Sequence, residues 1–302
     1  MADTADILAV EPTVVPVPVR AHRPVGSPVA RRVLIGIAVG WLLLALALPF
    51  ASVFVAAFAE GVPAFFAALV QPDAVHAAYL TGLGVLAAVS FNVVFGILAA
   101  WAVTRTTLPG RGLITALLDL PIAVSPVIAG LMFVLLFGRQ GWFGSLLSTL
   151  DVKVIFAVPG ILIATVFVTL PFVAKEVIGV LQETGPAEEE AAATLGASRV
   201  QTFLHIVLPN IRWAVFYGLV LTAARALGEF GAVSVVSGNL IGKTQTLPLH
   251  IERAYASYQT TAAFAAAVPL TVLAVLTIVA QKLLAHFASR RRGRAALAEE
   301  SS

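Results

Sequence analysis

The sequence has no cysteine and little charge. Of its 302 residues none is Cys and 12% are charged, against roughly 25% in soluble domains. Without cysteine the chain cannot form a disulfide, a thiol nucleophile or a cysteine metal site. In place of charge it has 59% hydrophobic residues and a mean hydropathy of +0.96. These values indicate an integral membrane protein.

Six apolar segments are each long enough to cross a membrane as a helix, which takes about 20 residues. They are 33–59, 76–103, 114–137, 154–181, 211–237 and 261–287. The first lacks a convincing small-residue cleavage pattern, so we predict a retained span rather than a signal peptide. The sequence therefore predicts an all-α membrane protein, with a six-helix domain over 33–287, a flexible cytoplasmic tail over 1–32 and a basic cytoplasmic tail over 288–302.

The basic residues predict the orientation of these spans. Of nineteen Lys and Arg residues, thirteen fall in the two tails and in the second and fourth connections, whereas only Arg139, Lys153, Lys243 and Arg253 fall in the opposite connections. Connections on the cytoplasmic side carry an excess of Lys and Arg. Both termini are therefore predicted to be cytoplasmic, together with the connection at about 183–210.

This fourth connection carries a patterned polar motif. Glu190-Ala191-Ala192 is followed after three residues by Gly196, and after nine more by Ile206, Leu208 and Pro209. The glutamates favour a helix N-terminus, Gly196 can end that helix at positive φ, and Ser198 can cap a second helix. We expect Pro209 to close the second helix before the fifth span begins. The local pattern fits a helix-turn-helix that docks on another protein, or an ordinary amphipathic connector.

Several charges fall inside the predicted spans, where a charge costs a few kcal/mol and should face protein or water. Arg225 and Glu229 are four residues apart and are predicted to pair within the fifth helix, either to lock packing or to serve an anion pathway and its gate. Asp119 lies at a similar depth to Lys175 and Glu176, which predicts an interhelical ion pair between Asp119 and Lys175. Further candidates for the pathway are the hydroxyls of Ser234 and Ser237.

The sequence offers no catalytic site of its own. The run from Gly238 to Lys243 resembles a nucleotide-binding loop, but only three residues separate its glycines where the motif requires four. The five histidines lie on different segments without paired spacing, so we expect no metal site. If the chain transports a solute with energy from ATP, another polypeptide must bind the nucleotide.

Recognisable family motifs cover most of the chain. The segment from Glu190 to Pro209 resembles the EAA loop of bacterial ABC importer permeases at every fixed position. The stretches 119–142, 169–198 and 224–252 are similar to the CysW-type sulfate/thiosulfate permease subunits of that class, and the resemblance extends over roughly 33–287. It implies a type I importer permease in the bacterial cytoplasmic membrane, which is a transport subunit rather than an enzyme.

The resemblance also implies partners and residue roles. The expected partners are a cytoplasmic ABC ATPase dimer, a second permease subunit of the CysT (CysU) type, an external sulfate/thiosulfate-binding protein and membrane lipid, with no nucleic acid. ATP and Mg²⁺ would be bound by the ATPase, and no cofactor by this chain. The residues implied in coupling to the ATPase are Glu190, Ala191, Ala192, Gly196, Ile206, Leu208 and Pro209.

Two alternatives stay open on the residues alone. Molybdate and tungstate permeases also carry segments like Gly228-Glu229-Phe230-Gly231-Ala232, and their tetrahedral oxyanions resemble sulfate. An ion-coupled secondary transporter could use Arg225 and Glu229 as a relay, although it would have no need of the EAA loop.

Overall fold

The computed structural model describes residues 28–106 and 109–299, with side chains up to residue 284. Most of the predicted tail at 1–32 lies outside the described residues, and the side chains of the basic tail at 288–302 lie outside them as well. The described part of the chain is helical and contains no strand. Its helices are α1 (Pro28–Ala57), α2 (Val62–Leu69), α3 (Pro72–Arg105), α4 (Arg111–Ala123), α5 (Pro126–Phe137), α6 (Gly144–Thr149), α7 (Val158–Thr169), α8 (Pro171–Thr184), α9 (Ala187–Thr194), α10 (Arg199–Thr202), α11 (Leu208–Leu227), α12 (Gly231–Val236), α13 (Leu247–Ala256) and α14 (Thr260–Glu299).

The chain divides into two compact units, residues 1–50 and 51–302. The described part of the first unit is the apolar N-terminal portion of α1, whose residues 29–50 are exposed. The second unit contains the end of α1 and all the other helices. Five helices or unbroken helix pairs are long and apolar enough to span a membrane, and a sixth span results if α4 and α5 count as one. The six-span prediction is therefore confirmed in number.

Pro121 and Pro126 predict an interruption in the third span, and the structure shows one. The two halves of this span, α4 and α5, meet at an angle of 112°. Pro126 begins α5, and Ser125 directly before it has a non-helical ψ of 134°, because proline lacks an N–H donor and disfavours helical geometry in the preceding residue. The fifth predicted span also breaks, because α11 ends at Leu227 and the short α12 follows. Interruptions of this kind occur in membrane proteins where backbone is shielded by protein or lines a cavity.

The prediction that Pro209 closes a helix before the fifth span was wrong. Residues Arg199–Leu227 form one continuous span, in which a π-helical turn over Phe203–Val207 joins α10 to α11. A proline removes one donor from the helix and crowds the carbonyl four residues earlier. The wider π turn directly before it is an adjustment that accommodates both effects. The second helix of the patterned connection therefore continues without a break into the fifth span. We call this continuous helix, Arg199–Leu227, the rod.

Three helices form the packed centre of the second unit. Helices α3, α8 and α11 share a buried apolar cluster that includes Val173, Val177 and Ile211. They approach closely through small residues, since a Cβ at Gly218 would lie 2.7 Å from Val173 Cα, and one at Gly96 would lie 2.9 Å from Ala174 N. Close approach through glycine is a common packing mode of membrane helices. This three-helix centre ends, at one end, beside the patterned connection.

Candidate functional site

The patterned connection forms a separate short helix followed by a sharp turn. Helix α9 begins with Glu188, Glu189 and Glu190 in its first turn. At its C-terminus Gly196 N donates to Ala193 O and Ala197 N donates to Ala192 O, at 3.1 and 3.0 Å. This pair of bonds is the Schellman arrangement, and it requires the positive φ of +85° that Gly196 adopts. The predicted turn at Gly196 is confirmed.

A second cap follows at once. Ser198 Oγ accepts from Gln201 N at 3.3 Å, and Ser198 N donates to Gln201 Oε1 at 2.8 Å, which is a complete capping box. The predicted N-cap at Ser198 is therefore confirmed. We call residues 187–202, which comprise α9, the turn and α10, the coupling element.

One buried arginine fastens the coupling element to the three-helix centre. Arg105, the last residue of α3, donates from Nε to Glu189 Oε1 at 2.7 Å. Its Nη1 and Nη2 donate to Leu181 O and Gly185 O at 2.9 and 2.7 Å, so the guanidinium also satisfies carbonyls at the C-terminal end of α8. The Arg105 side chain is only 8% exposed. Sequence reasoning missed this contact, because it counted Arg105 only toward membrane orientation.

A second polar contact ties α9 to the start of α11. Asn210 Nδ2 donates to Glu188 Oε2 at 2.7 Å. Two of the three adjacent glutamates are thus used inside the chain, Glu188 by Asn210 and Glu189 by Arg105. Glu190 is exposed, and its carboxylate forms no hydrogen bond or ion pair in the part of the chain that the structure describes. It is the glutamate that remains accessible to another protein.

Helix α9 and its C-cap residue Leu195 are mostly exposed. At helical spacing Glu190, Ala191, Thr194 and Leu195 share one side and are all exposed, whereas Glu189 and Ala192, on the opposite side, are half-buried. Ala191 and Ala192 were both predicted for coupling, and Ala192 is the less exposed of the two. Leu195 is 89% exposed and was missed, although its place just before the turn glycine was a signal. We call these four exposed residues the outer face.

The other residues predicted for coupling belong to the spanning rod rather than to the outer face. Ile206 lies in the π turn, and Leu208 and Pro209 begin α11. Leu208 packs against the cluster that contains Val207 and Ile211. Their position links the coupling element to α11.

The structure brings Asp119 and Lys175 together as the sequence predicts. Lys175 Nζ lies 2.5 Å from Asp119 Oδ1, and both side chains are about half exposed, at 47% and 50%. The pair joins α4 to α8. Glu176, the third candidate, forms no ion pair among the residues that the structure describes.

Arg225 and Glu229 also pair, but not within one helix. Arg225 Nη1 lies 2.7 Å from Glu229 Oε2, and α11 ends between them at Leu227. Glu229 Oε1 accepts from Ala232 N at 2.9 Å, in the first turn of α12. The carboxylate is 1% exposed and the arginine side chain 35%. The pair therefore bridges the break between α11 and α12, with one side of the guanidinium accessible.

The two serines predicted for the pathway have local partners. Ser234 Oγ donates to Gly231 O at 2.8 Å, and Ser237 Oγ accepts from Asn239 N at 3.1 Å. Ser237 is fully buried. A hydroxyl that bonds its own backbone is an ordinary outcome in membrane helices, and neither serine presents a free hydroxyl to a pathway in this conformation.

Comparison with known proteins places the chain in a family. Residues 92–292 match the family described as binding-protein-dependent transport system inner membrane component. The chain belongs to this family. The permease is 53% identical over 251 residues to the sulfate transport system permease protein CysW of Synechocystis sp., covering 83% of this chain and 91% of the relative. It is 48% identical to CysW of Escherichia coli K12, covering 82% and 86%.

Solved structures support the fold of this permease. A bacterial ABC transporter involved in the import of alginate superposes with a TM-score of 0.68, covering 86% of this chain and 95% of that chain. The sequence identity is 19%, so the likeness concerns the fold alone. Together with the helical, multi-span structure, it shows that the predicted ABC importer permease architecture is correct.

Proposed function

We propose that the chain is the permease subunit of an ATP-driven importer that moves sulfate or thiosulfate across the bacterial cytoplasmic membrane by alternating access. The observation that carries this proposal is the coupling element, whose outer face is exposed while Arg105 fixes its inner side to the three-helix centre. The sulfate assignment is supported by the relatives, which are named sulfate permeases and align over most of their length. The proposal therefore covers both the substrate, sulfate or thiosulfate, and the direction of transport, which is import.

A cytoplasmic ABC ATPase dimer is the proposed partner of the outer face. Leu195 offers an apolar anchor, Ala191 permits close approach, and Glu190 offers a carboxylate to basic groups of the partner. ATP and Mg²⁺ would bind to that partner, while this chain itself makes or breaks no substrate bond. Nucleotide-driven movement would enter the permease through α9.

A second permease subunit and an external binding protein complete the proposed assembly. The chain is also 43% identical, over 62% of its length, to the sulfate transport system permease protein CysT of E. coli. Two related permeases in one pathway suit a heterodimer in which each chain supplies half of the passage. A solved alginate ABC transporter is in complex with a periplasmic protein that carries alginate pentasaccharide, which supports delivery by a binding protein here.

The passage itself is proposed to run beside the break between α11 and α12. Arg225 is partly exposed there and would attract an oxyanion, while Glu229 holds both the arginine and the start of α12. Because Glu229 neutralises part of the arginine charge, Arg225 would guide a dianion without trapping it. Other groups, including those of the second subunit, would share the binding.

Substrate choice is tested by uptake of radiolabelled sulfate in a strain that lacks its own sulfate permease and expresses this chain with its partners. We expect uptake that unlabelled sulfate or thiosulfate suppresses and that requires the ATPase. Stronger competition by molybdate or tungstate at low concentration would replace the sulfate assignment with theirs. Uptake without any ATPase would favour a secondary transporter.

Coupling is tested by replacing Gly196 with Leu and measuring co-purification of the ATPase subunit. A Cβ at Gly196 meets nothing within 4 Å, so the change acts through the positive φ of this residue. Gly179→Leu is the matched control, because a Cβ there also meets nothing within 4 Å and its φ is not positive. We expect Gly196→Leu to lose the ATPase and the control to retain it. Assembly and uptake that survive in Gly196→Leu would contradict the proposal.

A further inference from the structure

An open cavity lies at the end of the bundle away from the coupling element. Its volume is about 860 Å³, and it is formed by the end of α5, by α6 and by the segment that leads into α7. The span made of α7 and α8 runs from this cavity toward α9, so the two sites lie at opposite ends of that span. The coupling element is predicted to be cytoplasmic, which places the cavity at the external surface of the cytoplasmic membrane. Its volume falls in the usual range for binding sites of small organic ligands.

One wall of the cavity is a tightly bonded turn between α5 and α6. Trp142 N donates to Leu135 O at 3.2 Å, and Phe143 N donates to Leu136 O at 2.9 Å. Side chains are excluded at the glycines of this turn, since a Cβ at Gly144 would lie 2.5 Å from Arg139 O. The wall is thus a specified structure rather than an irregular loop.

Two cations line the cavity without an ion-pair partner in the part of the chain that the structure describes. They are Arg139 and Lys153, and both are exposed. Asp151 also lines the cavity, so the three side chains carry a net charge of +1. Basic residues are disfavoured on the outer side of a membrane protein, and two of the four predicted there meet at this one cavity.

The rest of the surroundings are apolar and exposed. Leu135 is 69% exposed and Phe156 48%, and both line the cavity. Trp142, in the wall turn, is 85% exposed. Tryptophan is enriched at the level of lipid headgroups, so the apolar wall and the two cations of the cavity lie next to a headgroup-level aromatic residue.

We infer that this cavity binds one anionic phospholipid of the outer leaflet. Arg139 and Lys153 contact the headgroup phosphate, and an acyl chain lies along Leu135 and Phe156. The charges select an anionic headgroup over a zwitterionic one, and Asp151 weakens that selection. A small inorganic oxyanion would leave the apolar wall uncovered, and a soluble protein would have to cover exposed side chains that lie at membrane level.

Native mass spectrometry of the full-length chain in mild detergent tests this inference. The probes are phosphatidylglycerol, phosphatidylcholine with matched acyl chains, and inorganic phosphate. We expect one phosphatidylglycerol to be retained in preference to phosphatidylcholine. Retention should fall about fivefold with each of Arg139→Gln and Lys153→Gln, and rise by a similar factor with Asp151→Asn. Lys243→Gln is the control, because this outer cation does not line the cavity, and it should change nothing.

Every other result counts against the lipid. Equal retention of both phospholipids, or equal loss in the control, would show nonspecific adhesion of detergent or lipid. Displacement of phosphatidylglycerol by millimolar inorganic phosphate would show a site for a free anion. Unchanged phosphatidylglycerol retention in the Arg139→Gln, Lys153→Gln double variant, with loss of binding-protein-stimulated uptake, would assign the cations to protein docking. Because lipid retention is measured without transport, its failure leaves the proposed transport function untouched.

Discussion

Replacing Arg105 with Gln should loosen the coupling element while leaving its outer face intact. The arginine makes three hydrogen bonds, to Glu189 and to the carbonyls of Leu181 and Gly185. Glutamine is too short and too poor in donors to reproduce them. The carboxylate of Glu189, 19% exposed, would then lose its charged partner.

The expected loss follows from these contacts. A hydrogen bond that involves a charged group contributes about 1.5–3 kcal/mol, and the charged guanidinium is the donor in all three of these bonds. Since the carbonyls at the end of α8 can bind water after the change, most of the loss comes from the ion pair. We expect α9 to open about 3 kcal/mol more easily, which is roughly a hundredfold in the opening equilibrium. Arg105→Lys keeps the charge without the planar fork and should lose about 1 kcal/mol.

Hydrogen exchange of the α9 backbone amides measures this directly. Arg105→Gln should accelerate exchange by up to the hundredfold just derived, and Arg105→Lys by about fivefold. Arg199→Gln is the control, because Arg199 is exposed in α10 and its side chain forms no hydrogen bond or ion pair among the described residues. In the reconstituted importer, Arg105→Gln should lower the anion transported per ATP while the ATPase still binds. Less than threefold faster exchange in Arg105→Gln, or an equal change in Arg199→Gln, would refute the role of Arg105 in holding α9.

Two further predictions concern stability. Asn92 is fully buried and donates from Nδ2 to Thr169 Oγ1 at 2.8 Å. Asn92→Ala should therefore lower the free energy of unfolding in detergent by about 1–2 kcal/mol. A loss no larger than that caused by Thr115→Ala, at an exposed position, would contradict this. Burial, and to a smaller extent the Arg253 cation, lowers the pKa of His250 below its ordinary 6.5. Because the unfolded chain then binds the proton more readily than the folded chain, stability is lost as pH falls below about 6.5. His250→Gln should remove that pH dependence in thermal unfolding, and an unchanged acid loss would show that His250 is not its cause.

Much of the coupling element could be predicted from local chemistry. Gly196 and Ser198 act on backbone groups within five residues of themselves, so the residue types alone indicated the turn and the cap. The number of spans was also predictable, because the hydropathy of a span depends on the lipid that surrounds it and not on which helices pack against it. The break before Pro126 was expected as an interruption, but its angle of 112° depends on how α5 packs against α12, which no local pattern contains.

The contacts that fix the coupling element could not be read from the sequence. Arg105 and Glu189 are 84 residues apart, and three successive glutamates give no local reason for Glu189 to face inward and Glu190 outward. The rotation of α9 decides this, and it is fixed by the contacts of Glu189 with Arg105 and of Glu188 with Asn210. The same rotation exposes Leu195 and half-buries Ala192. The motif therefore indicates the surface that is proposed to meet a partner, whereas tertiary packing selects the residues on it.

The two ends of the rod Arg199–Leu227 explain why the coupling element and the charged break belong to one mechanism. Its first end is part of the coupling element, and the π turn keeps the helix unbroken through Pro209. At about 1.5 Å per residue, the rod is roughly 40 Å long, and in the proposed mechanism it would carry a displacement of α9 over that length. It ends at Leu227, where Arg225 and Glu229 join it to α12 across the break. In the proposed mechanism Arg105 would tie α3 and α8 to the same displacement, so the change in geometry would concentrate at the break between α11 and α12. The Asp119–Lys175 pair joins α4 to α8 and does not bridge that break, which makes the Arg225–Glu229 junction the better candidate for the gate.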